Sequence, residues 1–185
     1  MILVDTGPFV ALFDPKDALH QHCRSVLRSI EDPLTTTVPV LTEAFHLLSP
    51  GSQGADRLRD FILNGGVSVW FLDFAGIERS FELMEQYADH PMDLADASLV
   101  AAAEALRTNK VFTIDRQDFA TYRIRRGHRY YNIDIIGGRL PKRSFRSVPS
   151  QSSASYSIPS SNVNRTSARV LKLMRVRSGR PRPAI

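Results

Sequence analysis

Four short runs of apolar and β-branched residues, each leading into helical or turn sequence, and a fifth that closes the series restrict this chain to few folds. The runs are ILVD at 2–5, LTTTV at 34–38, VSVWFLD at 67–73, VFTID at 111–115 and YYNIDII at 130–136. Helical spacing of apolar residues fills the gaps between the first four. A short helix begins at Pro8, and a second, capped by Asp17, carries Leu19, Cys23, Val26, Leu27 and Ile30. PVLTEAFHLL at 39–48 and a segment ending near Leu63 follow, then 77–88, then the Ala-rich DLADASLVAAAEAL at 93–106 with Asp93 as its cap. Asp14-Pro15, Asp32-Pro33, Ser49-Pro50-Gly51 and Asn64-Gly65-Gly66 mark the breaks. Two helices between successive strands predict crossover connections. The fold class is therefore α/β: a mostly parallel central sheet of about five strands with helices on both faces, a three-layer sandwich.

Charge divides the chain in two. Residues 1–137 carry all 19 acids against 13 Lys and Arg, a net of −6, whereas residues 138–185 carry 11 Lys and Arg and no acid. That second stretch also holds 11 Ser and 5 Pro and has almost no apolar periodicity. Such a composition buries too little surface to offset the entropy of ordering. The reading is a globular domain over 1–137 and a basic, disordered Ser/Pro-rich tail over 138–185. The single cysteine, Cys23, excludes an intrachain disulfide and a Cys-based zinc cluster, and reads as a core residue. The first apolar run is interrupted by Asp5 and lacks a basic flank, so it does not read as a signal peptide. No stretch approaches the length of a membrane span. A cytoplasmic location without membrane contact is the expectation.

The strand ends carry the chemistry. Asp5 closes the first run and Asp115 the fourth, while Glu43 lies in the first turns of the helix after the second. Asp93 and Asp96, three apart, share a face at the start of their helix. In open parallel sheets, ligands bind beyond the carboxyl ends of the strands. Acids from four segments are thus expected at one sheet edge. Each has a plainer role available: a helix cap for Asp5 and Asp93, a favourable helix-dipole position for Glu43, a turn for Asp115 and Asp118. Gathered together they repel. Two unit charges about 4 Å apart cost roughly 4 kcal/mol at an effective dielectric near 20. Such a cluster either holds protons or binds a hard cation, and oxygen-only donors suit Mg²⁺ or Mn²⁺ rather than zinc. That is equipment for phosphodiester hydrolysis. RIRRGHR at 123–129 places Arg123, Arg125, Arg126 and Arg129 after the last acid, as candidates for backbone-phosphate contact. Phe9, Phe13 and Phe45 read as core.

ILVDTGPFVALFD, PVLTEAFHLL, MDLADASLVAAAE and VFTIDRQDF resemble the four acidic motifs of PIN-domain ribonucleases, most of all VapC-type toxins of toxin–antitoxin pairs. The resemblance covers about 1–136 and implies a PIN-like fold. It implies that Asp5, Glu43, Asp96 and Asp115 form a catalytic acidic quartet, with Asp5 and Asp96 the main ligands of Mg²⁺ and Mn²⁺ the alternative ion. Glu43 and Asp115 then complete the pocket or help hold a second ion. Asp93 is implied as an auxiliary acid, and Thr6 and Thr113 as hydroxyls that hold a carboxylate or a bound water. The implied activity is divalent-metal hydrolysis of RNA, leaving a 5′-phosphate and a 3′-hydroxyl. The implied partners are an RNA substrate, a cognate antitoxin protein and a second copy of the chain in a homodimer. The basic tail has no counterpart in the family pattern: an RNA-binding extension, a readthrough product and an arm competing for the acidic pocket all fit its composition.

Other readings compete for the same residues. VDTG at 4–7 also begins an aspartic-protease motif, but that reading demands an all-β fold and a second Asp-Thr-Gly, and the chain has neither. A catalytically weak PIN-like module that binds RNA or protein is the main alternative. A DNA-directed nuclease on a similar fold is another, since no residue pattern reads a 2′-hydroxyl.

Overall fold

The strand Ile2–Val4 (β1) is buried along its length and lies at the middle of a five-stranded parallel sheet. The computed structural model describes residues 1–137. Its elements run β1, α1 (Thr6–Phe13), α2 (His20–Ser29), β2 (Leu34–Thr37), α3 (Val38–Leu47), α4 (Gln53–Leu63), β3 (Ser68–Trp70), α5 (Phe74–Gln86), α6 (Leu94–Ala105), β4 (Lys110–Phe112), α7 (Arg116–Thr121), β5 (Arg123–Arg126), β6 (Arg129–Asn132) and β7 (Asp134–Ile136). The sheet order is β3-β2-β1-β4-β7. Leu3 pairs with Thr35 on one side and Val111 on the other. The chain therefore winds outward from β1 to β3, then returns to the far side of β1. Helices α1–α4 connect the outward path and α5 and α6 the return, so right-handed crossovers cover both faces of the sheet. This is the expected three-layer α/β sandwich. The switch in winding direction falls between β1 and β4, where a parallel sheet opens a crevice at its carboxyl edge.

Two segments explain how the layers close. In β2, Thr35, Thr36 and Thr37 are all buried, and each hydroxyl has a partner: Ser68 Oγ at 2.8 Å, the Val4 carbonyl at 2.9 Å and Ser98 Oγ at 2.6 Å. Unpaired, each would cost a desolvation penalty of about 1–3 kcal/mol. In α6, eight of twelve residues are buried, on all sides. Its small side chains let it lie close to α5, α3, β2 and β5 at once. Cys23 is a fully buried free thiol, Phe9 is buried, and Phe13 and Phe45 pack against the same core.

Several boundaries differ from the sequence reading, each for a local reason. Helix α1 starts at Thr6 rather than Pro8, because the Asp5 carboxylate accepts from the Thr6 N–H at 2.6 Å; Pro8 sits in the first turn, where its missing donor costs nothing. Asp17 does not cap α2. Its carboxylate accepts from Leu19 N at 2.7 Å and holds the turn before the helix, which begins at His20. Asp73 caps α5 through Gly76 N at 2.8 Å, so the third strand ends at Trp70 and the helix starts at Phe74. The fifth run is two strands. Arg129–Asn132 pairs antiparallel with Arg123–Arg126, and only Asp134–Ile136 joins the main sheet. The domain boundary after 137 and the tail at 138–185 lie outside the described residues. No described helix is long and apolar enough to cross a membrane.

Candidate active site

Asp5 follows β1 at the centre of the carboxyl edge, and its backbone ties that edge together: Asp5 N donates to the Phe112 carbonyl at 3.0 Å. The Asp5 carboxylate is buried and accepts from Thr6 N at 2.6 Å and from the Thr113 hydroxyl at 2.8 Å. Thr113 thus links the first strand to the fourth, and its Oγ1 also accepts from Asp115 N at 2.9 Å. On the other side the Thr6 hydroxyl donates to Glu43 Oε2 at 2.7 Å. One turn of α1 therefore connects the carboxylate after β1 to the one on α3.

Asp93 caps α6 by accepting from Asp96 N at 2.9 Å, which leaves the Asp96 carboxylate on the opening face of the helix. Asp115 caps α7 through Asp118 N at 3.1 Å. A capping role and a place in the cavity coexist for Asp5, Asp93 and Asp115, because parallel-sheet geometry starts each following helix at the carboxyl edge. The result is an open cavity of about 350 Å³ lined by Asp5, Glu43, Asp93, Asp96 and Asp115, with Thr6 beside them. Asp17 and Asp118 line it too, making seven acids, and no Lys or Arg is among the lining residues. Thr113 stands behind Asp5 rather than in the wall.

Electrostatics record the crowding. Burial, then the nearby Glu43 and Asp93, push the Asp5 carboxyl up to about 6, against the pull of the Thr113 and Thr6 hydrogen bonds. Burial, then Asp5, Asp93 and Asp118, push Asp96 up to about 8 despite a hydrogen bond from Tyr122. The pocket holds more negative charge than it can keep ionised without a counter-ion.

Tyr122 is a participant the sequence reading missed. It is fully buried, and its hydroxyl donates to Asp96 Oδ2 at 3.2 Å. Its ring is gripped edge-on by Tyr87, Phe119 and His90, with centroids 5.1, 5.5 and 6.0 Å away. Burial and the Asp96 charge raise its pKa, so the phenol stays protonated and remains a donor. The sequence signal was weak: a lone tyrosine before an arginine run. Asp118, read as a turn residue, bonds His90 Nε2 at 2.9 Å at the cavity rim.

The four arginines have different surroundings. Arg123 Nη1 donates to the carbonyls of Ala120, Thr121 and Tyr122 at 2.7–2.8 Å, clasping the end of α7. Its guanidinium is thereby committed to the fold. Arg126 lies over the Tyr131 ring at 5.0 Å. Arg125 and Arg129 are exposed and make no salt bridge among the described residues.

The PIN-domain family model matches residues 2–124, the stretch that supplies every acid in this cavity. This chain belongs to the PIN-domain family. Among relatives of this PIN-domain chain, Ribonuclease VapC26 of Mycobacterium tuberculosis is 26% identical over 132 residues, covering 70% of this chain and 97% of that protein. Two solved structures share the fold. VapC20 of M. tuberculosis, described as a Sarcin-Ricin loop cleaving toxin, superposes with a TM-score of 0.60 at 22% identity, covering 64% of this chain and 92% of its own. A toxin–antitoxin complex from Klebsiella pneumoniae gives 0.53 at 20% identity, covering 65% and 92%. The PIN-like α/β architecture expected from the sequence is the architecture found.

The donor set suits a hard ion. Every candidate ligand is a carboxylate or hydroxyl oxygen, which favours a divalent cation of that class. Among the described residues no three His, Cys, Asp or Glu side chains converge into a ready-made cage. A cation held there would displace the protons that Asp5 and Asp96 bind more tightly than free carboxyls do.

Proposed function

We propose that this PIN domain is a divalent-metal-dependent endoribonuclease, the toxin of a toxin–antitoxin pair. The observation that carries the reading is the seven-acid cavity at the sheet's switch point, inside the stretch matched by the family model. The relative named a ribonuclease, aligned along 97% of its length, supports it. Asp5 and Asp96 are the ligands of Mg²⁺ or Mn²⁺, and Glu43 and Asp115 complete the quartet. When bound, such an ion lowers the pKa of water and offsets phosphate charge. The remaining work falls to the chain. Thr113 and Thr6 N–H fix one Asp5 oxygen each, Thr6 aims Glu43, and Asp93 holds the first turn of α6 so that Asp96 faces the cavity. Glu43 and Asp115 orient water toward the scissile phosphate. No side-chain nucleophile is required.

The test is incubation of end-labelled single-stranded RNA, and the matching DNA strand, with Mg²⁺, Mn²⁺ or EDTA. Metal-dependent cutting of RNA with 5′-phosphate and 3′-hydroxyl products is expected, and EDTA abolishes it. Binding without cutting in every metal would leave a PIN-like binding module instead.

Tyr122 is a positioning residue in this scheme. Tyr122→Phe keeps the ring packing but removes the donor to Asp96. The Mg²⁺ concentration for half-maximal thermal stabilisation is expected to rise about 10-fold, from loss of a charge-assisted hydrogen bond of roughly 1.5 kcal/mol. A midpoint equal to wild type would show that the phenol only fills space.

The partner reading has separate support. A structural neighbour is a toxin–antitoxin complex, and the domain exposes apolar residues that a partner would cover: Phe71 and Phe74 are each 74% exposed and Phe81 53%. An antitoxin protein and a second copy of the chain are the two occupants proposed for such surface.

A further inference from the structure

The β5–β6 ribbon stands outside the main sheet and is unlike the rest of the acidic domain. From Phe119 to Ile133 the chain carries four arginines, a histidine and three tyrosines, with no acid. Cross-strand pairing sets Arg125 opposite Tyr130, and Ile124 opposite Tyr131. Alternation then assigns the two faces. Ile124 is buried, Arg126 lies over the Tyr131 ring, and Arg129, paired with Arg126, belongs to that same face. The other face presents Arg125 and Tyr130, both exposed, the tyrosine at 58%.

Two anchors hold the ribbon along α6, from the cavity end to the far end. Tyr122, the residue before β5, bonds Asp96, and Arg125 N donates to Glu104 Oε1 at 2.9 Å near the far end of α6. Glu104 is neutralised by a two-pronged bond from Arg79, at 2.8 and 3.0 Å. The carboxylate under the ribbon is therefore already paired, although Arg79 also serves Glu82 at 2.9 Å. The cavity itself is lined by acids and no cation. A nucleic-acid strand needs attraction from elsewhere, and this ribbon, which directly follows Tyr122 in the chain, is cationic.

We propose that the ribbon is a platform for single-stranded RNA, on which an unpaired base stacks against Tyr130 while Arg125, on the same face, holds a flanking phosphate. The inference rests on the nuclease reading for its choice of RNA, and it adds a base-contacting subsite beyond the acidic pocket. Stacking on an aromatic ring is sequence-tolerant and requires an unpaired base, so it selects single strands over duplex.

The experiment is fluorescence anisotropy of a labelled 12-nucleotide RNA, single-stranded or annealed to its complement, with the full-length protein in EDTA across a salt series. Tyr130→Ala is expected to weaken single-strand binding about 5- to 20-fold with duplex binding unchanged. Tyr130→Phe, which keeps the ring, retains wild-type affinity and guards against a folding artefact. Arg125→Ala lowers the salt slope by about 0.7. Unchanged single-strand affinity in both alanine variants would overturn the proposal and leave the ribbon to an acidic protein partner. Equal loss for single strand and duplex in Tyr130→Ala would overturn it as well, leaving only charge attraction. Because binding is read without metal or turnover, the two readings fail separately. A chain that never cuts RNA yet shows this pattern keeps the ribbon, and one that cuts without the pattern loses it.

Discussion

Asp96→Asn is expected to abolish the proposed metal-dependent RNA cleavage, by at least about 1,000-fold, a magnitude in line with removal of an essential electrostatic element, while the protein stays folded and becomes more stable without metal. The substitution keeps the shape of the side chain and the acceptor for Tyr122. It removes a charge that the pocket already resists, as the rise of Asp96 to about 8 records. In EDTA at pH 8 the variant should gain about 1–3 kcal/mol, a figure discounted for the partial exposure of the group. Mg²⁺ is expected to stabilise wild type, and the same variant should lose most of that gain. Gel assays of cleavage and melting curves with and without metal check both halves. Cleavage equal to wild type would remove Asp96 from the chemistry, and lower stability in EDTA would show that its charge is needed for folding.

Metal-free wild type is expected to lose stability as pH rises through the neutral range, the opposite of ordinary acid sensitivity. Asp5 and Asp96 bind protons more tightly folded than unfolded, with folded values of about 6 and about 8 against 3.8. Their contribution to stability is fully present below about pH 4. It is lost as pH climbs through 6 and then 8. The combined loss is on the order of 4 kcal/mol, from about 1.4 kcal/mol for each tenfold gain in proton affinity, reduced for coupling between the two sites. Urea titrations in EDTA at pH 5 and pH 8.5 measure it, with Asp96→Asn as the reference that isolates the Asp96 contribution. Adding Mg²⁺ at pH 8.5 restores the lost stability. A wild-type profile parallel to that of the variant would mean that Asp96 ionises without penalty.

Strand and helix order was legible because two physical signals agreed: short β-branched runs, and Pro, Gly and Asp at the breaks. The parallel sheet followed from the helix pairs between the runs. Legibility stopped where one residue served two purposes. Asp5, Asp93 and Asp115 read equally well as helix caps and as site acids, and in the structure each caps a helix and lines the cavity. The ribbon was missed because the arginine run hid its turn. Gly127, with φ of +61°, is followed by His128 at negative φ, the pattern of a two-residue hairpin turn with glycine first. Tyr122 was illegible for another reason. Its hydrogen bond to Asp96 spans 26 residues, and no local pattern encodes such a contact.

The cavity draws its seven acids from positions 5, 17, 43, 93, 96, 115 and 118, and β1, which delivers the first, is paired with β4, far along the chain. During synthesis the first three strands can form while the pocket still lacks α6 and the segment after β4. A nascent chain that stops short of Asp96 thus has Asp5 and Glu43 but no enclosing partner for either. A pocket distributed in this way is incomplete until most of the domain has been made. It comes into being late, when segments far apart in the chain have met, so an unfinished or misfolded copy carries the acids without the pocket.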